Sequence, residues 1–224
     1  MKYDMRLVNR EARDKAALSK MPNSSKITVK SIQNVPCVTL TNSKELNNII
    51  RDTHMKLLEK SMLRTDGHRY DEMGILMELI EPYGYEVIPG KVNPTTGISS
   101  VDPTDIRFIK YLASHSDNQL LFMHNHPNNS GFSYGDLHNF IMTDEIKAIT
   151  AVGNTHGVHL MWKNKEFDKD KALKYFNLVL RRRCYANVKS SIHDIKSSVL
   201  REVMKNISKI GIGYRYTESR NYGR

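Results

Sequence analysis

Residues 120–136 read LLFMHNHPNNSGFSYGD, and this stretch determines how the rest of the chain is interpreted. Its first four residues are apolar and predict a short buried strand that leads directly into His124. Histidines at positions i and i+2 of a strand, here His124 and His126, project their imidazoles to the same side. Pro127 prevents the strand from continuing in regular pairing, and the Asn-Asn-Ser-Gly loop that follows lets the chain turn back. The sequence therefore predicts two imidazoles side by side at the end of a buried strand.

Asp136 follows on the first turn of a helix that is expected to begin near Ser133. Two imidazoles and one carboxylate form a set of three ligands, which leaves one position of a tetrahedral zinc ion open for water. That open position is typical of catalytic rather than structural zinc. Each part also has a simpler interpretation, because most His-x-His pairs bind no metal and Ser133-x-x-Asp136 is the pattern of a helix capping box. The combination predicts one zinc ion held by His124, His126 and Asp136.

Hydrolysis at such a zinc ion requires a nearby group that takes a proton from water and passes it on. Glu72 begins the apolar run EMGILMELI, and a lone carboxylate that enters an apolar strand is costly unless it is satisfied. We therefore expect Glu72 to act as the general acid and base. Ser133 is expected to donate a hydrogen bond to the oxyanion that forms when a carbonyl becomes tetrahedral.

The motif HNHP…FSYGD, with a glutamate far upstream, resembles the zinc motif of the JAB/MPN metalloprotease (JAMM) family, in a bacterial or phage-type form. The resemblance covers roughly residues 65–165 and implies an α/β, JAB/MPN-like (cytidine-deaminase-like) mixed sheet flanked by helices. It implies the same three zinc ligands, Glu72 as general acid and base, and Ser133 as oxyanion support. Familiar members place a glycine three residues after the catalytic glutamate. Because Gly74 lies three residues after Asp71, Asp71 remains a rival base, and Glu78 is a more remote one.

The resemblance also implies an activity. Members of the family are zinc-dependent metallopeptidases and isopeptidases, including deubiquitinases and bacterial enzymes that act on ubiquitin-like tails. The expected substrate is thus a protein or peptide, with cleavage of a peptide or isopeptide bond.

The charge distribution supports a second hypothesis. The chain of 224 residues carries a net charge of +10, and residues 163–224 hold 16 Lys and Arg against 6 Asp and Glu. The remaining residues hold 34 − 16 = 18 basic and 24 − 6 = 18 acidic side chains, so the excess lies entirely in the C-terminal segment. This asymmetry predicts an anionic partner, although solvated helix faces would produce it equally. The alternative function is a RadC-like protein that binds DNA or RNA through residues 163–224, with Arg181–Arg183 on phosphates and Tyr214, Tyr216 and Tyr222 stacked on bases.

The pattern along the chain predicts three parts: residues 1–42 as an N-terminal arm with one or two strands at 26–40, residues 43–165 as the JAB/MPN-like metallohydrolase domain, and residues 166–224 as a basic helical extension. The elements expected within them are a helix at 43–63 capped by Ser43, strands at 72–80 and 85–88, a loop at 93–97, a helix at 103–114 capped by Asp102, strands at 148–153 and 157–162, and two C-terminal helices. There is no apolar run near 18 residues, no signal-peptide core and no disulfide framework. A cytoplasmic protein without membrane contact is expected.

Overall fold

The computed structural model of the chain describes residues 27–63, 72–92, 99–127, 129–155, 157–186 and 190–219. Within these ranges it is a mixed α/β structure in which one seven-stranded sheet is flanked by six α-helices. The strands are β1 (Met73–Glu78), β2 (Tyr85–Val92), β3 (Ser99–Val101), β4 (Leu120–His126), β5 (Ile146–Gly153), β6 (Val158–Lys163) and β7 (Ile212–Thr217). The helices are α1 (Val29–Gln33), α2 (Lys44–Leu63), α3 (Ile106–Ala113), α4 (Tyr134–Met142), α5 (Lys169–Ala186) and α6 (Ile192–Lys205), and a 3₁₀ turn covers Ile207–Ile210.

The strand that carries the two histidines lies in the centre of the sheet. The strand order is β3-β2-β1-β4-β5-β6-β7, and only the β4–β5 pair is parallel among the pairs of the described residues. His124 lies opposite Gly74 of β1 and Ala151 of β5. The two histidines at the end of β4 therefore lie on a strand that is paired on both sides, with β1 and with β5.

Side chains alternate along each strand, so every strand contributes to both faces of the sheet. Both faces are covered by helices. The first face packs against α3, α4, α5 and α6, and the second face packs against α1 and α2. Along β4, Leu121 and Met123 belong to the second face, so His124 and His126 project from the first. Helices α5 and α6 pack on the first face through six buried apolar residues, Ala172, Phe176, Val179, Ile195, Val199 and Val203.

The predicted N-terminal strand or strands are wrong. Residues 29–33 form the short helix α1, and no strand covers residues 27–42. Thr28 and Ser31 close this turn by a reciprocal capping box: Ser31 N–H donates to Thr28 Oγ1 (3.0 Å) and Thr28 N–H donates to Ser31 Oγ (2.8 Å). The β-branched residues of this segment favoured a strand, but two local hydrogen bonds and the burial of Ile27 and Ile32 against α2 fix a helical turn instead.

Two predicted helix starts have different outcomes. The start of α2 is confirmed, since Ser43 Oγ accepts the backbone N–H of Leu46 at 3.1 Å. The cap predicted for the next helix is wrong. Asp105, not Asp102, caps α3 by accepting the N–H of Arg107 at 2.9 Å, while Asp102 pairs with Lys91 at 2.8 Å.

The C-terminal segment differs from the prediction in its last part. Both predicted helices are present, but the chain continues through the 3₁₀ turn into β7, which pairs antiparallel with β6. Gly211 makes this turn with φ of 73°, in the left-handed region that favours glycine. The described residues of this segment therefore share the sheet and its core with the rest. The boundaries at 42 and 165 remain predictions.

Several expectations concern parts of the chain that the structure does not describe, namely the loop at 93–97, Asp71 and Tyr222. Among the residues that it does describe, no helix is both long and apolar enough to cross a membrane.

Candidate metal centre

The two histidines of β4 come together as the sequence predicts. The Nε2 atoms of His124 and His126 are 2.9 Å apart, and the ring centroids are 4.6 Å apart. The His124 side chain is fully buried, and that of His126 is 8% exposed. Two ring nitrogens therefore face one small volume that is closed to solvent on most sides.

Asp136 brings a carboxylate to the same point. Its Oδ1 lies 3.5 Å from His124 Nε2, and its Oδ2 lies 3.5 Å from His126 Nε2. The carboxylate is oriented by the start of α4: Oδ2 accepts the N–H of Ser133 at 2.6 Å, and the N–H of Asp136 donates to Ser133 Oγ at 3.1 Å. The residues thus form the capping box, and the same capping box directs a carboxylate at the two imidazoles.

The spacing of these three groups fits a tetrahedral zinc ion. With zinc–ligand distances near 2.0–2.1 Å, neighbouring tetrahedral ligand atoms lie about 3.3 Å apart. The observed separations of 2.9, 3.5 and 3.5 Å bracket that value. Two imidazoles and a carboxylate are also a donor set that zinc accepts in proteins.

The orientation of His126 is set by its other ring nitrogen. His126 Nδ1 lies 3.0 Å from the backbone oxygen of Ser130, which can only accept, so Nδ1 carries a proton and Nε2 is the ring nitrogen directed at the centre. His124 Nδ1 is buried and has no hydrogen-bond partner among the described residues. The His124 ring is held instead by stacking on Phe122, with centroids 5.2 Å apart and planes 12° apart.

Glu72, the residue directly before β1, brings a second carboxylate to the same centre. One carboxylate oxygen of Glu72 and one nitrogen each of His124 and His126 all lie within 4.8 Å of one another. Burial raises the pKa of Glu72 above its usual range, against the opposing effect of the two histidines. A carboxyl group with a raised pKa, placed beside a metal centre, is suited to accepting and returning a proton.

Gly74 provides the space that this arrangement needs. A Cβ atom at Gly74 would lie 2.8 Å from Cε2 of Phe122, the ring that stacks on His124. The glycine two residues after Glu72 therefore lets an aromatic ring lie across β1 and support the histidine.

Asn125, the residue between the histidines, is a part of the site that the sequence interpretation missed. It is fully buried on the second face, where its Oδ1 accepts the N–H of Met73 at 2.8 Å and its Nδ2 donates to Ser61 and Asn154. Because Met73 is the first residue of β1 and directly follows Glu72, this bond fixes the backbone next to the residue that carries the carboxylate. The one signal in the sequence was an amide side chain in a buried strand, which must be satisfied by partners.

The charges of the site are strongly coupled. Burial alone would lower the pKa of His126, but the hydrogen bond and charge of Asp136, together with Glu72, raise it to about 9. The two histidines hold the pKa of Asp136 well below its usual range although burial opposes this. The anionic carboxylate therefore stabilises positive charge between the rings, and a divalent cation bound there would replace protons.

Glu78 and two further histidines lie outside the three-ligand set. Glu78, the remote rival base, is at the other end of β1, where it accepts from Tyr111 Oη and contacts His115 Nε2, each at 3.1 Å. His138 stacks parallel to Tyr134 and is not among the groups that face the metal centre. His159 lies on β6, and burial, with the charge of His126, lowers its pKa to about 4.

The arginine run predicted to contact phosphates is partly engaged within the protein. Arg182 and Arg183 both form ion pairs with Glu202 of α6, and Arg181 is exposed. Binding of an anionic partner by residues 163–224 remains a prediction.

Comparison of the chain with protein-family models, curated proteins and solved structures finds no match in any of the three. The resemblance to the JAMM motif therefore rests on the motif residues alone.

Proposed function

We propose that this chain is a zinc-dependent metallopeptidase or isopeptidase with a JAB/MPN-like domain. The observation that supports it best is the convergence of two imidazole nitrogens and a carboxylate at 2.9–3.5 Å, with a second carboxylate beside them. A structural zinc site would require a fourth protein ligand, whereas Glu72 fits better as a proton carrier, because burial raises its pKa and so makes the carboxylate a stronger proton acceptor.

Each residue has a distinct role in this proposal. His124, His126 and Asp136 would hold the ion, and a bound zinc ion would act as a Lewis acid that activates water and polarises the scissile carbonyl. Glu72 takes the proton of the attacking water and returns it to the leaving amine. The Ser133 hydroxyl accepts from the Asp136 N–H through its oxygen, which leaves its proton to donate to the developing oxyanion.

The first test is metal content. Protein purified without chelator and analysed by mass spectrometry is expected to contain about one zinc ion per chain, as three protein ligands imply. His126→Ala should lose the metal, and His138→Ala, which changes a histidine of the neighbouring helix, should retain it. Wild type that stays free of metal after incubation with zinc would contradict the proposal.

The second test is hydrolysis. Zinc-loaded wild type is assayed against unstructured peptide pools and against ubiquitin-like proteins joined through an isopeptide bond, beside Glu72→Gln and Asp71→Asn. Loss of cleavage in Glu72→Gln with zinc retained assigns the base to Glu72, and the same loss confined to Asp71→Asn assigns it to Asp71. Zinc-loaded protein that cleaves no peptide or isopeptide bond in these assays would refute the hydrolase proposal.

A further inference from the structure

A row of rings extends from the metal centre to the edge of the sheet. It consists of Phe132, His159, Tyr214 and Tyr216, and is called the aromatic row below. Phe132 is the inner member of the row and connects it to the metal centre. Its ring centroid lies 6.2 Å from that of His124 and 6.1 Å from that of His159. His159 in turn lies 4.5 Å from the Tyr216 centroid, and its Nδ1 is 2.8 Å from Tyr214 Oη.

Strand register places the row on the same face of the sheet as the metal centre. Tyr216 lies opposite His159, and Tyr214 opposite Met161, so each tyrosine projects to the side of its partner. Met161 belongs to the core of the first face, as does Ile212 at the start of β7. The tyrosines therefore continue the surface from which the two metal-site histidines project.

The inner and outer members of the row differ in exposure. Phe132 is 6% exposed, whereas Tyr214 and Tyr216 are 40% and 42% exposed. The hydrogen bond to His159 fixes the Tyr214 ring, and part of the residue's surface remains exposed. Rigid, half-exposed aromatic rings beside a site are typical of surfaces that bind another apolar group.

The spacing from the centre is set by the sheet. Strands lie about 4.8 Å apart, so β7 is roughly 14 Å from β4. An extended peptide advances about 3.3 Å per residue. A peptide cleaved at the metal centre and running across the strands would thus place its fourth or fifth residue from the scissile bond over the tyrosines.

We propose that the aromatic row is a substrate subsite that binds an aromatic or branched aliphatic side chain of a peptide, about four or five residues from the bond that is cut. This inference deepens the proposed function and rests on it. Peptide is favoured over nucleic acid because base stacking is normally accompanied by cations for the phosphates. Arg215, the cation of β7, lies over Trp162 on the opposite face, and none of the cation–π contacts among the described residues involves a ring of the row.

The test measures binding and cleavage separately. Blocked alanine-rich octapeptides, each with one phenylalanine at a different position, are titrated by fluorescence anisotropy into zinc-loaded Glu72→Gln protein, and their cleavage is measured with wild type. Tyr216→Ala and Tyr214→Ala are introduced into both backgrounds. The matched control is Tyr185→Ala, because Tyr185 is a tyrosine on α5 that is 83% exposed and outside the row.

The expected result is tighter binding of one or two positional peptides than of the all-alanine peptide. Tyr216→Ala should weaken that binding at least about threefold, with no change in Tyr185→Ala. Equal binding of all peptides, equal effects of Tyr216→Ala and the control Tyr185→Ala, or tighter Tyr216-dependent binding of a dT octamer would each overturn the subsite. If the phenylalanine peptides bind through Tyr216 but none is cut, the subsite stands and the hydrolase proposal fails. If peptides are cut without regard to phenylalanine or Tyr216, the hydrolase proposal stands and the subsite fails.

Discussion

Replacing Asn125 by leucine keeps the branching and the number of heavy atoms of the side chain but removes three hydrogen bonds beneath the candidate metal centre. The N–H of Met73 loses its acceptor, and a buried donor without a partner costs about 1–3 kcal/mol. The bonds to Ser61 and Asn154 contribute about 0.5–1.5 kcal/mol each. We therefore expect the free energy of unfolding to fall by about 2–6 kcal/mol, a large share of the 5–15 kcal/mol typical of a domain.

The assay is urea unfolding of the metal-free protein, followed by circular dichroism, with a zinc titration of the folded variant. Asn177→Leu is the matched control, because Asn177 is exposed on α5 and its replacement should change stability by no more than about 0.5 kcal/mol. Asn125→Leu should also weaken zinc binding, since the end of β4, which carries His124 and His126, loses these bonds to its neighbours. An Asn125→Leu protein as stable as Asn177→Leu would refute the reasoning that this amide anchors β1.

Two further predictions concern the packing around the site. Burial lowers the pKa of His54 from 6.5 to about 3. As the pH falls, His54 is therefore protonated in the unfolded chain before it is protonated in the folded protein. The stability that this group contributes above pH 6.5 is lost as the pH falls towards 3. Between pH 7 and pH 5 the wild type should lose about 2 kcal/mol more than His54→Gln in parallel urea titrations, and equal losses would show that His54 does not titrate in this way. In Gly74→Ala, the added Cβ, 2.8 Å from Phe122 Cε2, should displace that ring, lower stability by about 1–3 kcal/mol and weaken zinc binding. Unchanged melting temperature and unchanged zinc affinity would mean that the ring moves aside without affecting the centre.

The sequence predicted the elements whose signal is local. An apolar run that ends in His-x-His-Pro, followed by Ser-x-x-Asp, contains both the end of a strand and the start of a helix. Its residues therefore placed β4, α4 and three groups of the centre together. The same kind of signal misled the interpretation at Thr28 and Ser31, where β-branched neighbours favour a strand but a capping box closes a single turn. A helix of five residues is too short to show a helical period.

What the sequence did not predict depends on residues that are far apart along the chain. β7 pairs with β6, which lies about fifty residues earlier, and its own sequence is interrupted by Gly213. The importance of Asn125 depends on Met73, which lies 52 positions away. In the same way, no local pattern connects Tyr214 and Tyr216 with His159, and only the register of the sheet places them on the face from which His124 and His126 project.

Asp136 combines two roles that a pair of substitutions can separate. Asp136→Asn keeps an oxygen for the N–H of Ser133 and so largely preserves the start of α4, but it removes the negative charge between the imidazoles. Ser133→Ala removes the side-chain acceptor at the helix start, at a cost of about 1 kcal/mol, and leaves the carboxylate in place. If the carboxylate is a ligand, Asp136→Asn should lower zinc affinity at least about tenfold with little loss of metal-free stability, and Ser133→Ala should do the reverse. Equal zinc affinity in Asp136→Asn and wild type would reduce Asp136 to a capping residue and leave Glu72, which lies with His124 and His126 within 4.8 Å, as the third ligand.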